Sequence, residues 1–434
     1  MTWDQLLDGF YHALVVGWFN AVTWGVLAGL AALSLAVLFY PTKTRVGAWL
    51  RPRVLRTLRV LSGRSDLDWL DWQPVLVAGL VAFAAVSTYG IVSGQYGCHP
   101  PGVSDPIGVL NSGKAFWAGT DPFYVTDCGG HIEVPYGLAA VLIDAIGSLG
   151  GLAGIYIVWG LVAFSLLPLT WALAGKDRRQ VLLFVATSVL VVPLISSQID
   201  GATNAIVPVT VLLSLYLASR NELLAAAVGG FLSTARFPNL FPILGGTGSN
   251  RRYRYTAFLV AAAVFGGATA LSFLVWHGDF LGPVFLNQLG RRSFSLNLYG
   301  VFLLSNALPS SIWIEAAEAG LTIALVLAVF FLVRSPIGSV AIVLTGFALL
   351  TPFLSFNILV YLVPVALAGV RARWWLWGVA FVGSLNYDLG LNLLAWDDGV
   401  TWPSAVMDVV LTALLLALFV ELWRQELRSR AAPV

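Results

Sequence analysis

The feature that most constrains this chain is the recurrence of apolar stretches about twenty residues long, the length a helix needs to cross a hydrocarbon core ~30 Å thick. Such stretches fall at 13–40, 73–93, 152–174, 180–197, 204–219, 255–275, 311–333, 337–356, 358–370, 374–393 and 403–423. Inside a bilayer every backbone group must be satisfied by the segment itself, so runs of this kind fold as helices. A further pair, 222–235 and 237–249, meets at Arg236-Phe237-Pro238 and fits either a re-entrant hairpin or two tilted helices. Charged residues make up only 11% of the 434 residues, about half the usual share of a soluble domain. The expectation is an all-α fold: a polytopic transmembrane helical bundle of eleven or thirteen helices, forming one integral membrane domain over 1–434. A nucleic-acid binder, a secreted disulfide scaffold, a coiled coil and a soluble enzyme with a tail are excluded.

The placement of charge gives the topology. Positive residues near short loops collect on the cytoplasmic side. The segment 43–64 carries seven of them, and basic breaks follow at Lys176, Arg178 and Arg179, at Arg220, at Arg251, Arg252 and Arg254, and at Arg334, Arg371 and Arg373, with Arg424, Arg428 and Arg430 near the end. Placing all of these inside assigns 20 of the 24 Lys and Arg residues to one face. The N-terminus then lies outside and the C-terminus inside a plasma membrane that the chain crosses many times. Asp4 and Asp8 stand where a signal peptide would carry cations, so the start does not read as one. The stretch 58–72, with Asp66, Asp68 and Asp71 beside Trp69 and Trp72, reads as an amphipathic helix on the membrane surface.

Two extracytoplasmic loops, 94–135 and 276–310, are too long to be simple connectors. The first holds both cysteines, Cys98 and Cys128. On an oxidising face these fit a disulfide closing a ~30-residue loop, contributing ~3–4 kcal/mol; two free thiols are the alternative. His99 and His131 lie nearby without metal-ligand spacing, so no metal site is expected. The loop also carries Asp105, Asp121, Asp127 and Glu133. A carboxylate near the hydrocarbon boundary loses solvation and becomes a better general base, although Asp121, within Thr-Asp-Pro, also suits a turn. Four cations break the topology rule: Lys114, Arg236, Arg291 and Arg292. Each either snorkels to headgroups or serves an anionic ligand such as phosphate. The polar run 196–204 holds Gln198 and Asp200 and reads either as a turn with Asp200 capping the next helix or as a hydroxyl-binding shelf. Asp144 lies in 136–149, too short to cross, which suggests an interfacial helix rather than a buried proton site; Asp408 would be costly facing lipid.

The run DPIGVLNSGKAFWAGTDPFY over 105–124 resembles the first-loop motif of the membrane mannosyltransferases of glycosyltransferase family 87, in the wider GT-C superfamily. Asp105, Ala115, Gly119 and the pair Phe123-Tyr124 occupy the motif's places. Val134-Pro135-Tyr136-Gly137-Leu138 resembles the helix start that follows it, Ser197-Gln198 the Gly-Gln turn, and Gly229-Gly230 leading to Arg236-Phe237-Pro238 the Gly-rich helix that ends in Lys before Pro. The resemblance covers roughly 100–245. The chain departs from the pattern in lacking an aromatic shortly after Asp105, one of the paired prolines, and in having the extra span 13–40.

The resemblance implies a GT-C bundle that moves a sugar, mannose in that family, from a polyprenyl-phosphate donor to a lipid or glycan acceptor at the outer face, with inversion. Asp105 would be the general base. Arg236, with Arg291, Arg292 or Lys114, would receive the phosphate, and Gln198, Asp200, Asp121 and Tyr124 would contact substrate. Besides the donor, the acceptor and membrane lipids, no nucleic acid and no cofactor is expected; no Gly-rich phosphate loop follows a strand. A transporter or flippase of a lipid-linked saccharide is the alternative, although no inverted repeat is visible; a polymerase or ligase of lipid-linked oligosaccharides is another.

Overall fold

The computed structural model describes residues 105–126, 131–133, 137–174, 203–219, 221–236, 239–246, 251–276, 312–351, 356–388 and 402–431, all within the unit Gly90–Val434. The expected spans 13–40, 73–93 and 180–197, the surface helix 58–72 and most of the second loop lie outside them.

The described part is mostly helical. The first loop is more ordered than a connector: it opens with helix α1 (Asp105–Ala118), followed by a two-stranded antiparallel hairpin, β1 (Tyr124–Thr126) and β2 (His131–Glu133), with Val125 opposite Ile132. Among the described residues, the hairpin is the one departure from the all-α expectation. Helices α2 (Leu138–Ser148), α3 (Gly151–Phe164) and α4 (Leu166–Ala174) come next. The expected single span 152–174 is broken at Ser165. Pro168 explains this, because it has no N–H for the Phe164 carbonyl four residues back.

The chain continues with α5 (Ile206–Ala218), α6 (Glu222–Leu232) and α7 (Leu240–Gly246). At 1.5 Å per residue, α6 and α7 reach only ~16 and ~10 Å, short of a bilayer core. Gly229 of α6 faces Ile243 of α7, each seven residues from Arg236, so the two helices fold back on one another with Arg236 at the apex.

The remaining elements are α8 (Arg251–Trp276), α9 (Ile312–Leu332), α10 (Pro336–Leu350), a 3₁₀ helix (Phe356–Ala368), α11 (Val370–Asp388) and α12 (Trp402–Ala431). Among the described residues, two segments, Arg254–Trp276 and Ala405–Ser429, are long and apolar enough to cross a membrane. The core helix of a soluble protein would bury such a surface, yet only 11% of the first is buried, and Leu259, Leu271 and Leu274 are more than half exposed. These two helices point to membrane association. The centre of the unit is α5, α10 and the 3₁₀ helix, apolar and buried on nearly every side, as helices without a polar face must be.

One end of the unit gathers basic residues. Arg254, near the start of α8, donates to the carbonyls of Phe330 (2.9 Å) and Val333 (2.7 Å) at the end of α9 and to Ser339 Oγ (3.0 Å) in α10. It thereby satisfies carbonyls that a helix terminus leaves open. The Glu426 carboxylate of α12 fills the space beside Gly338. At the start of α11, Arg371 lies 3.9 Å from Glu421, and Arg373 Nε donates to the Ala366 carbonyl at 2.8 Å. Six elements therefore meet here through the basic breaks noted in the sequence.

Candidate functional site

Asp105 is the first residue of α1. Gly119 stops that helix: its φ of +70° is left-handed, its N–H bonds the Phe116 carbonyl at 3.1 Å, and the Thr120 N–H bonds the Ala115 carbonyl at 2.9 Å. A side chain on Gly119 would strain this C-terminal turn. Asp121 then makes the next turn, its Oδ1 accepting from the Phe123 N–H at 2.8 Å. Phe123 is fully buried and meets Trp276 edge to face at 5.4 Å, which pins the hairpin to the far end of α8. Lys114 on α1 and Tyr124 on β1 are exposed.

Helix α1 is strapped to α2. Trp117 Nε1 donates to the Ala145 carbonyl at 2.7 Å, and Gly113 is pressed against the Asp144 carbonyl, with no room for a side chain. Asp144 is fully buried within the protein, and Trp159 of α3 donates its Nε1 hydrogen to Oδ1 at 2.8 Å. Burial pushes this carboxyl well above the usual carboxylate range, and the indole N–H opposes the shift. Helix α2 has only eleven residues, so this acid does not lie on a spanning segment.

The start of α2 is joined to the apex of the α6–α7 hairpin. The Ala139 N–H donates to Thr234 Oγ1 at 3.0 Å and the Gly137 N–H to the Ala235 carbonyl at 3.3 Å. Gly137 has no room for a Cβ because the Thr234 carbonyl lies against it. Half-buried Arg236 comes next. Its guanidinium hydrogen-bonds the Tyr361 hydroxyl, and that hydroxyl donates to Asn204 Oδ1 at 3.1 Å. Tyr361 is held by Phe347, stacked at 6.3 Å, which in turn packs on Phe241. Arg236, Tyr361 and Asn204 thus form a polar knot among α5, the hairpin apex and the 3₁₀ helix.

Beside this junction lies an apolar cavity of about 560 Å³ lined by Phe116, Leu138, Leu142, Phe231, Leu271 and Trp276 among others. It runs from the end of α1, past the start of α2, to the end of α8. Phe231 and Leu138 of its lining each lie within a few residues of a hydrogen bond that joins α2 to the hairpin.

The structure therefore brings Arg236 together with Tyr361 and Asn204, neither of which stood out in the sequence. Tyr361 is hidden in the apolar run 356–368, and Asn204 closes the polar run in which Gln198 and Asp200 drew attention. Gln198, Asp200, Arg291, Arg292, Cys98 and Cys128 lie outside the described residues. Among the described residues no group of three or more His, Cys, Asp or Glu is placed to hold a metal ion. No protein-family model, curated protein or solved structure matches the chain.

Proposed function

We propose that this chain is a polytopic glycosyltransferase of GT-C type in the plasma membrane, with its N-terminus outside and its C-terminus inside, that transfers a sugar from a polyprenyl-phosphate donor. The observation that carries this reading is an apolar cavity walled in part by Phe231, on the hairpin that carries Arg236 at its apex. A polyprenyl-phosphate sugar needs an apolar bed for its tail and a cation for its phosphate within a few ångströms of each other. Phe231 and Leu138 supply the wall of the one, and Arg236 sits at the tip of the same hairpin. The mannosyltransferase resemblance of 105–124 adds the base.

In the proposed reaction the acceptor hydroxyl gives its proton to Asp105 while its oxygen attacks the anomeric carbon. The bond from that carbon to the phosphate oxygen breaks, and polyprenyl phosphate leaves with the electron pair. Arg236 stabilises the charge growing on the leaving phosphate, an interaction worth most where water is excluded. A single in-line displacement inverts the anomeric carbon. Arg291, Arg292 and Lys114 are proposed as further cations for the phosphate, and Gln198, Asp200, Asp121 and Tyr124 as contacts to donor or acceptor.

The test uses full-length protein in nanodiscs with radiolabelled polyprenyl-phosphate mannose and a crude lipid extract as acceptor. Wild type should move label into a new lipid or glycan. Asp105→Asn should lower the rate about 10²–10⁴-fold, the usual contribution of a general base, without changing the elution profile. Undiminished transfer by Asp105→Asn would remove Asp105 from this role. Donor binding without transfer, for mannose and for other polyprenyl-phosphate sugars, would favour the flippase.

A further inference from the structure

The arginines at the basic end are not used alike. Arg254 and Arg373 donate inward to backbone carbonyls of α9 and the 3₁₀ helix. Arg371, by contrast, has a side chain 70% exposed and meets the nearly buried Glu421 of α12 at 3.9 Å. Gln425 donates to the same carboxylate at 3.3 Å and lies beside Gly369, the residue before α11. The start of α11 is thus docked on the turn of α12 that runs from Glu421 to Gln425. Arg424 and Arg428, one turn apart on α12, are exposed. At 3.6 residues per turn Arg424 lies about 60° and Arg428 about 20° from the direction of Glu421. Three cations therefore share one edge with a single carboxylate. Glu426 does not offset them, because it points to Gly338 on the far side of α12.

What adjoins the cations narrows the ligand. One helical turn beyond Arg371 stand Trp374 and Trp375, 59% and 38% exposed, and Trp377 packs edge to face on Trp374 at 6.1 Å. Indole rings of this kind lie at the headgroup level of a membrane. Helix α12 leads away from the cluster with Val409, Leu416 and Val420 exposed, an apolar surface on which acyl chains can lie. A phosphodiester at this edge would meet guanidinium forks that match its oxygens. We infer that the edge formed by Arg371, Trp374, Arg424 and Arg428 seats one anionic phospholipid, its phosphate on the guanidinium groups and its chains along α12. The occupant is a lipid rather than a free phosphate, because indoles and an apolar helix face adjoin the cations. The inference rests on membrane association and stands apart from glycosyl transfer.

The test titrates full-length protein in a neutral detergent with phosphatidylglycerol and, separately, with zwitterionic phosphatidylcholine, reading bound lipid by native mass spectrometry. Wild type should bind one phosphatidylglycerol about 10–100-fold more tightly than phosphatidylcholine, and millimolar inorganic phosphate should not displace it. Arg371→Gln and Arg424→Gln should each lose about tenfold for phosphatidylglycerol. Arg334→Gln is the control: Arg334 is exposed just ahead of α10, on the Gly338 side of α12, and its loss should change binding by no more than about twofold. An equal loss in Arg334→Gln would mean diffuse attraction to a basic surface and overturns the seat. Equal binding of the two lipids by wild type overturns it too, as does wild-type preference in both seat variants. Displacement by inorganic phosphate would make this a free-anion site and overturns the lipid as occupant. Should Arg371→Gln fail to fold for want of the Glu421 pair, Arg424→Gln carries the test; collapse of both marks these arginines as structural and overturns the inference.

Discussion

Asp144 shows how a single residue records the fold around it. An acid in an apolar stretch is conspicuous in the sequence, but its partner is not: Trp159 lies fifteen residues on, in the next helix, and donates to it at 2.8 Å. Because burial raises this carboxyl in the folded state, the folded protein holds a proton that the unfolded chain would release. Stability from this group is therefore greatest below the ordinary carboxylate range and declines as pH climbs above it. Asp144→Asn keeps an oxygen for the indole N–H and cannot ionise. Thermal melts in detergent should show it at least as stable as wild type at pH 8 and should flatten the loss between pH 5 and pH 8. Asp144→Ala leaves the Trp159 N–H without its partner and should cost about 1–3 kcal/mol at pH 5 and less at pH 8, where the wild type has lost its own share. Asp144→Asn clearly less stable than wild type at pH 8 would mean that the acid is ionised there and held by charge. The same limit on reading single residues applies to the apex: Arg236 stands out as a cation on the wrong face, whereas Tyr361 and Asn204 become visible only when the 3₁₀ helix and α5 are placed beside it.

At the level of elements, apolar length located the helices well and their breaks poorly. Helices α5, α8 and α9 fall close to 204–219, 255–275 and 311–333, because long apolar runs leave few other ways to satisfy a backbone in lipid. Helix α1 was not legible: Gly108, Asn111, Ser112 and Gly113 are weak helix formers, and it is its packing that favours the helix, with Gly113 letting α1 close onto the Asp144 carbonyl. Similar close approaches hold the hairpin. Gly230 of α6 lies against the Ala261 carbonyl of α8, and Gly229 against Ser214 of α5 and Ile243 of α7, small-residue contacts that let helix backbones approach closely. Gly230→Ala should therefore push α6 from α8 and cost about 1–3 kcal/mol in denaturant or thermal unfolding. Gly267→Ala, where a Cβ meets nothing within 4 Å, should be neutral or stabilise by up to about 1 kcal/mol through helix propensity. Equal effects at the two sites would mean that α6 and α8 do not pack through Gly230.

For the molecule as a whole, the sequence assigned its basic breaks to one face by a rule about loops, and the structure joins several of them by contact. Arg254 ties the start of α8 to the end of α9 and to α10, Arg371 reaches Glu421 near the end of α12, and Arg373 caps the 3₁₀ helix. Helix α8 leads away from this basic end for 26 residues to Trp276, which meets Phe123 of the first loop. That length is about 39 Å at 1.5 Å per residue, more than a hydrocarbon core. The proposed enzyme therefore requires Thr120, exposed at the close of α1, and Ser429, exposed near the end of α12, to stand on opposite faces. A membrane-impermeant maleimide applied to intact cells should label Thr120→Cys above the unsubstituted chain and should spare Ser429→Cys until the membrane is opened with detergent. Thr120 suits the test because its backbone N–H as well as its hydroxyl bonds the Ala115 carbonyl, so the turn survives loss of the hydroxyl. Labelling of Ser429→Cys alone would invert the orientation and move Asp105 and the Arg236 apex to the cytoplasmic side, where a donor presented at the outer face could not reach them. Labelling of both in intact cells would mean that the two ends do not lie across a membrane, and the lipid-linked donor would lose its physical basis.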